Sequence, residues 1–134
     1  MTHLLDSSAW LAHLFGEAGA EEVTLLFDNP QNGICISALS IPEVYTRLKA
    51  IGHPENWPEV WTIYSALFTR VIAVDEQIAH QAIQLRAATP ERLPTINGLI
   101  AATAAAHQLI LVHRDPHIAA IPSQEVQQFR LPDK

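Results

Sequence analysis

Short apolar runs alternate along this chain with longer segments of helical periodicity, and that alternation admits few folds. The runs His3–Leu5, Gly33–Ser37, Arg70–Val74 and Leu109–His113 read as strands, with a last short strand near Glu125–Phe129. Between them, Ser8–Leu14, Glu17–Phe27, Ile41–Ile51, Asn56–Leu67, Glu76–Ala88 and Ile96–His107 read as helices. A strand apolar on both sides must be covered on both faces, and helical crossovers do this for a parallel sheet. The expected architecture is α/β: a three-layer α/β/α sandwich around a mostly parallel sheet of four or five strands. Asp28-Asn29-Pro30, Gly52-His53-Pro54, Thr89-Pro90 and Asp115-Pro116 supply the turns. With 134 residues, no internal repeat and no linker-like stretch, one domain over residues 1–134 is expected.

Eight Lys and Arg against fourteen Asp and Glu leave a formal charge of −6, the wrong sign for gripping nucleic acid by counterion release alone. A nucleic-acid partner must then be held locally, by divalent cations offsetting clustered acids or with help from a basic partner protein. No apolar run approaches the roughly 20 residues of a bilayer span, and Met1-Thr2-His3 leads into a strand rather than a basic leader. A cytoplasmic location is expected. The lone Cys35, inside an apolar run, reads as a small buried hydrophobe.

Acidic residues stand where strands give way to turns or helices. Asp6 follows His3-Leu4-Leu5, and its ordinary role is a helix N-cap worth about 1 kcal/mol. Ser7 or Ser8 would cap equally well, which leaves Asp6 free for a metal. Ser40-Ile41-Pro42-Glu43 fits a capping box, so Glu43 taken singly reads as structural or solvated. Asp115 ends an apolar strand and precedes Pro116, an ordinary turn initiator. Asn97 opens an alanine-rich helix that permits close backbone approach. If these four converge, carboxylates about 4 Å apart repel by roughly 4 kcal/mol per pair at an effective dielectric near 20. A hard cation such as Mg²⁺ or Mn²⁺ removes that repulsion and keeps several waters beside one or two direct carboxylates.

The order of Leu4-Leu5-Asp6-Ser7-Ser8, Ser40-Ile41-Pro42-Glu43-Val44, Leu93 through Ala104 and Leu109 through Asp115 resembles the PIN-domain ribonucleases, most closely the VapC-like toxins of toxin–antitoxin pairs. The resemblance implies a Mg²⁺- or Mn²⁺-dependent endoribonuclease acting on RNA, a homodimer, and a cognate antitoxin whose C-terminal segment enters the active-site groove. It matches Asp6, Glu43 and Asp115 to acidic metal-site positions and places Asn97 where the family normally has Asp. An amide oxygen still ligates a metal but carries no charge, so Asn97 is expected to weaken or inactivate the enzyme. Its origin stays open among an inactivating substitution, a natural weak nuclease and a natural non-nuclease. His113 stands where the family has a small hydroxyl residue.

The competing class is a catalytically silent PIN-like module that binds RNA or protein. Seven His residues invite zinc, but no HExxH or cysteine pair is present, and Pro116 separates His113 from His117. Phosphate-cradling glycine motifs and a serine-nucleophile elbow are also missing. Arg114 is a candidate for steering a phosphate or for a surface salt bridge. Ser7 is a candidate for orienting Asp6 or for a plain helix cap. The segment Asn56–Leu67 carries Trp57, Trp61, Tyr64 and Phe68 on one side and Val60, Ile63 and Leu67 on the other. It suits either the core or a dimer or peptide-binding face.

Overall fold

Five strands form one sheet in a computed structural model that describes residues Met1–Lys134: β1 (His3–Leu5), β2 (Ile34–Ser37), β3 (Arg70–Ile72), β4 (Ile110–His113) and β5 (Gln128–Arg130). Their order is β3-β2-β1-β4-β5, and every neighbouring pair is parallel. Seven helices connect and cover them: α1 (Ser7–Phe15), α2 (Ala20–Asp28), α3 (Ser40–Ala50), α4 (Trp57–Leu67), α5 (Glu76–Ala88), α6 (Thr95–Ala106) and α7 (Pro116–Ala119). The expected sandwich is present, with all five strands parallel.

Alternation of side chains along each strand builds two cores. Leu4, Cys35 and Leu111 face a layer that includes Ile78 and Leu85 of α5 and Ile100, Ala101 and Ala104 of α6. Leu5, Ile36 and Val112 face Trp10 of α1, Val23 of α2, Val44 and Leu48 of α3, and Val60 and Tyr64 of α4. Leu5 pairs in register with both Ile36 and Val112, so one layer of side chains runs across three strands.

The aromatic helix resolves toward the core. Trp10 is fully buried and lies 6.2 Å from Trp57, 6.3 Å from Trp61, 5.5 Å from Tyr64 and 5.1 Å from Phe68, measured between ring centroids. Val60 joins this buried side rather than the opposite one. Ile63 and Leu67 stay exposed. Several expected boundaries move. Gly16 and Gly19 take positive φ angles of 64° and 99°, ending α1 and delaying α2 to Ala20, so Glu17 lies in the intervening turn. The third strand stops at Ile72, the fifth shifts to Gln128–Arg130, and both α7 and a 3₁₀ turn at Pro54–Asn56 were not anticipated.

The connectivity sets the site. From β1 the chain steps to β2 and β3 on one side, then crosses to β4 and β5 on the other. The direction of progression reverses between β1 and β4, and such a reversal opens a crevice beyond the carboxyl ends of those strands. Asp6 immediately follows β1, and Asp115 lies two residues past β4.

Candidate functional site

Asp6 caps α1 itself. Its Oδ1 accepts the Ala9 amide at 2.8 Å, and Ser8 Oγ lies 2.7 Å from Oδ1 and 2.9 Å from Oδ2. The expectation that Ser7 or Ser8 would release Asp6 from capping is therefore corrected: the extended backbone at Asp6 aims its carboxylate at the first-turn amides. With 3% of its surface exposed, Asp6 has little water to stabilise a charge. Burial is the largest influence and pushes its pKa up to about 7. The Ser8 hydroxyl and Ala9 amide oppose this, while the negative charges of Asp115 and Glu43 add to it.

Glu43 lies in the first turn of α3, whose N-cap is Leu39 with no side-chain capping bond. The expected capping box does not form. Ser40 is fully buried, and its hydroxyl lies 2.9 Å from that of Ser7, which donates to Glu43 Oε1. Ser7 has one proton to give, and the acceptor-only carboxylate takes it, so Ser40 is left to donate to Ser7. Ser7 thus ties α1 to Glu43 instead of orienting Asp6. A cleft of about 410 Å³ opens here between α1 and α3, lined by Ser7, Leu11, Pro42, Glu43, Thr46 and Arg47.

Asp115 caps α7, with Oδ1 accepting the His117 amide at 2.7 Å. Its Oδ2 accepts Asn97 Nδ2 at 2.9 Å, which joins the first turn of α6 to the end of β4. Ser8 links the two strand ends: its proton goes to Asp6, while its oxygen accepts the Arg114 amide at 3.0 Å. Ser8 was not singled out in the sequence, because Asp-Ser-Ser offers three interchangeable caps and only the fold distinguishes them. A continuous polar path therefore runs from Asp6 through Ser8 and the Arg114–Asp115 backbone to Asn97. Glu43 joins it through charge.

Arg114 does not point to solvent. Its guanidinium, 9% exposed, pairs with Glu17 and donates to the Ala18 carbonyl at 3.0 Å, while Lys134 reaches the same Glu17 at 3.0 Å. These two cations hold the Glu17 carboxyl below its ordinary pKa. The candidate phosphate-steering residue is instead a clamp on the α1–α2 turn. His113 is buried, and burial lowers its pKa and keeps the ring neutral.

No group of three or more His, Cys, Asp and Glu side chains is poised to hold one ion. That bears on both zinc and a fully preformed carboxylate cage. The donor set of three carboxylates and one amide is nonetheless hard-oxygen chemistry, which suits a hydrated Mg²⁺ or Mn²⁺ with only one or two direct protein contacts. The raised Asp6 pKa is the observation that fits a cation here, since positive charge would relieve both its burial and its carboxylate neighbours.

The sequence matches the PIN domain family over residues 3–123. A search of curated proteins gave no match. Among solved structures, the chain is similar to VapBC2 from Rickettsia felis bound to a DNA fragment from its promoter, at 18% identity and TM-score 0.79, covering 98% of this chain and 100% of that one. It is similar to FitAcB from Neisseria gonorrhoeae at 22% identity and TM-score 0.76, covering 96% and 97% respectively. A third likeness is VapC20 from Mycobacterium tuberculosis, a sarcin–ricin-loop-cleaving toxin, at 17% identity and TM-score 0.70, covering 89% and 94%. At these identities the structural likenesses carry the fold.

Proposed function

This chain belongs to the PIN-domain family, and on that premise we propose that it is a divalent-metal-dependent endoribonuclease, the toxin of a toxin–antitoxin pair, weakened or inactivated by Asn97. The observation that carries the reading is Asp6: a carboxylate sealed at the strand-order reversal, its pKa pushed up to about 7, with the charges of Asp115 and Glu43 acting on it. A fold gains nothing from turning the charges of two further acids on a buried carboxylate unless a cation or proton offsets them.

Asp6, Glu43 and Asp115 would hold Mg²⁺ or Mn²⁺, with Asn97 offering its amide oxygen. When bound, such an ion supplies an acidified water and positive charge against the phosphodiester. The chain's own part is orientation: Ser8 aims Asp6, Ser7 aims Glu43, and Asn97 braces Asp115. With a formal charge of −6 and Arg114 already paired, RNA is gripped mainly at the metal site, and a basic antitoxin segment complements the same acids. The working unit is a homodimer.

The second reading is a catalytically silent PIN-like RNA- or protein-binding module. One observation favours it: the Asn97 amide proton occupies Asp115 Oδ2, so that carboxylate is satisfied without a cation. Cleavage of structured RNA in Mn²⁺ separates the two. For the nuclease, Asn97→Asp raises metal-dependent cutting and a further Asp6→Ala abolishes it. Absence of cutting by the Asn97→Asp protein on every structured RNA tested would reject the nuclease in favour of the module.

A further inference from the structure

His113 is fully buried at the end of β4, so both ring nitrogens must find partners inside the protein. Nδ1 lies 3.1 Å from the Asp115 backbone nitrogen, whose N–H can only donate. The neutral ring therefore carries its proton on Nε2, which donates to Gln128 Oε1 at 2.8 Å. Gln128 in turn donates through Nε2 to the Ile121 carbonyl at 3.0 Å, which decides which end of its amide faces the ring. The result is an ordered relay from the α7–β5 connection through β5 to the backbone of Asp115. Gln128 lies beyond residues 3–123 matched to the family, so this support comes from the chain's C-terminal strand.

We propose that His113 is a positioning residue: by accepting the Asp115 amide it holds that carboxylate against Asn97, while Gln128 selects the ring tautomer that makes this possible. The functional consequence rests on the endoribonuclease reading. A buried imidazole serving only as core filler would not care which of its nitrogens is retained. Asn97 and the His117 amide engage the carboxylate itself, whereas His113 sets where its backbone begins.

The two nitrogens can be separated by shape. In the full chain, His113→Asn keeps an acceptor near Nδ1, while His113→Gln keeps a polar group near Nε2 and withdraws it from Asp115. Both lose ring volume and should melt earlier. Asp115 amide exchange, followed by NMR, should accelerate on the order of tenfold in His113→Gln and change by less than about twofold in His113→Asn. Mn²⁺ affinity by calorimetry should fall about 10- to 100-fold in His113→Gln and be largely retained in His113→Asn. Equal exchange in the two variants overturns the positioning role. An Asn97→Asp protein that binds no Mn²⁺ sinks the ribonuclease reading, and the exchange comparison in the parent background still decides His113.

If a ring variant fails to fold, Gln128→Leu on the half-buried β5 tests the same relay. Ring ¹⁵N shifts should report a single Nε2-protonated tautomer in the parent, and a tautomer mixture with a faster Asp115 amide in the variant. An unchanged ring and amide overturn the proposal.

Discussion

Asp6→Asn should stabilise the metal-free protein at alkaline pH, although it alters a buried helix cap. Asn caps about as well as Asp, so the Ala9 and Ser8 bonds to Oδ1 survive while the charge and the second acceptor, Oδ2, are removed. The gap between an ordinary pKa of 3.8 and about 7 in the fold corresponds to on the order of 4 kcal/mol, at about 1.4 kcal/mol per pH unit. Its sign follows from proton binding. Because the folded value is raised, the native state holds the proton more tightly, and stability declines as pH climbs from about 4 to about 7, then levels off.

Urea unfolding in EDTA at pH 5 and pH 8 checks this, since two of those titrating units lie in that interval and correspond to about 3 kcal/mol. Other carboxylates titrate in both proteins, so the quantity to read is the difference between parent and variant. The variant should gain about 3 kcal/mol relative to the parent on going from pH 5 to pH 8. Adding Mn²⁺ at pH 8 should stabilise the parent and narrow that gap. An Asp6→Asn protein that differs from the parent equally at both pH values would refute the buried-charge argument.

Asn97→Asp replaces an amide donor 2.9 Å from Asp115 with a second carboxylate, a repulsion of roughly 4 kcal/mol once the two charges settle about 4 Å apart at an effective dielectric near 20. Its melting temperature should fall below the parent's in EDTA at pH 8 and recover with Mn²⁺; a variant indifferent to Mn²⁺ would count against a cation site. Glu17→Gln loosens the clamp on Arg114 and Lys134 and should cost about 1 kcal/mol at neutral pH. Because the folded Glu17 pKa lies below its ordinary 4.5, that difference should fade in urea melts as pH falls through the folded value, and persistence in acid would show that charge is not its source.

How the clusters in this chain came to be legible differs from element to element. The alternation of Leu4 and Leu5 between two cores is a property of strand geometry and was readable as a doubly covered sheet. Asp6 and Asp115 were placed at strand ends by the same logic. Glu43 looked like half of a capping box because local spacing permits it; the long-range bond from Ser7, 36 positions away, takes it instead. Arg114 read as either a phosphate-steering group or one end of a surface salt bridge. It forms a salt bridge, but a largely buried one whose partner Glu17 is 97 positions away and so could not be named from local sequence. The exposed Ile63 and the buried Val60 share one helix, and periodicity could not tell which neighbour would cover which arc.

Local chemistry in the chain was enough to read the layers and a mostly parallel sheet, since periodicity and turn residues act over a few residues. The grouping of Asp6, Glu43 and Asp115 as metal-site acids came instead from the resemblance to PIN domains. Only the tertiary structure decided which hydroxyl serves which carboxylate, that Arg114 is already paired, and that Asp115 rests on a buried His113 tied to the last strand. Those choices depend on contacts between distant segments competing for a limited number of protons and lone pairs, and that competition exists only once the chain has packed.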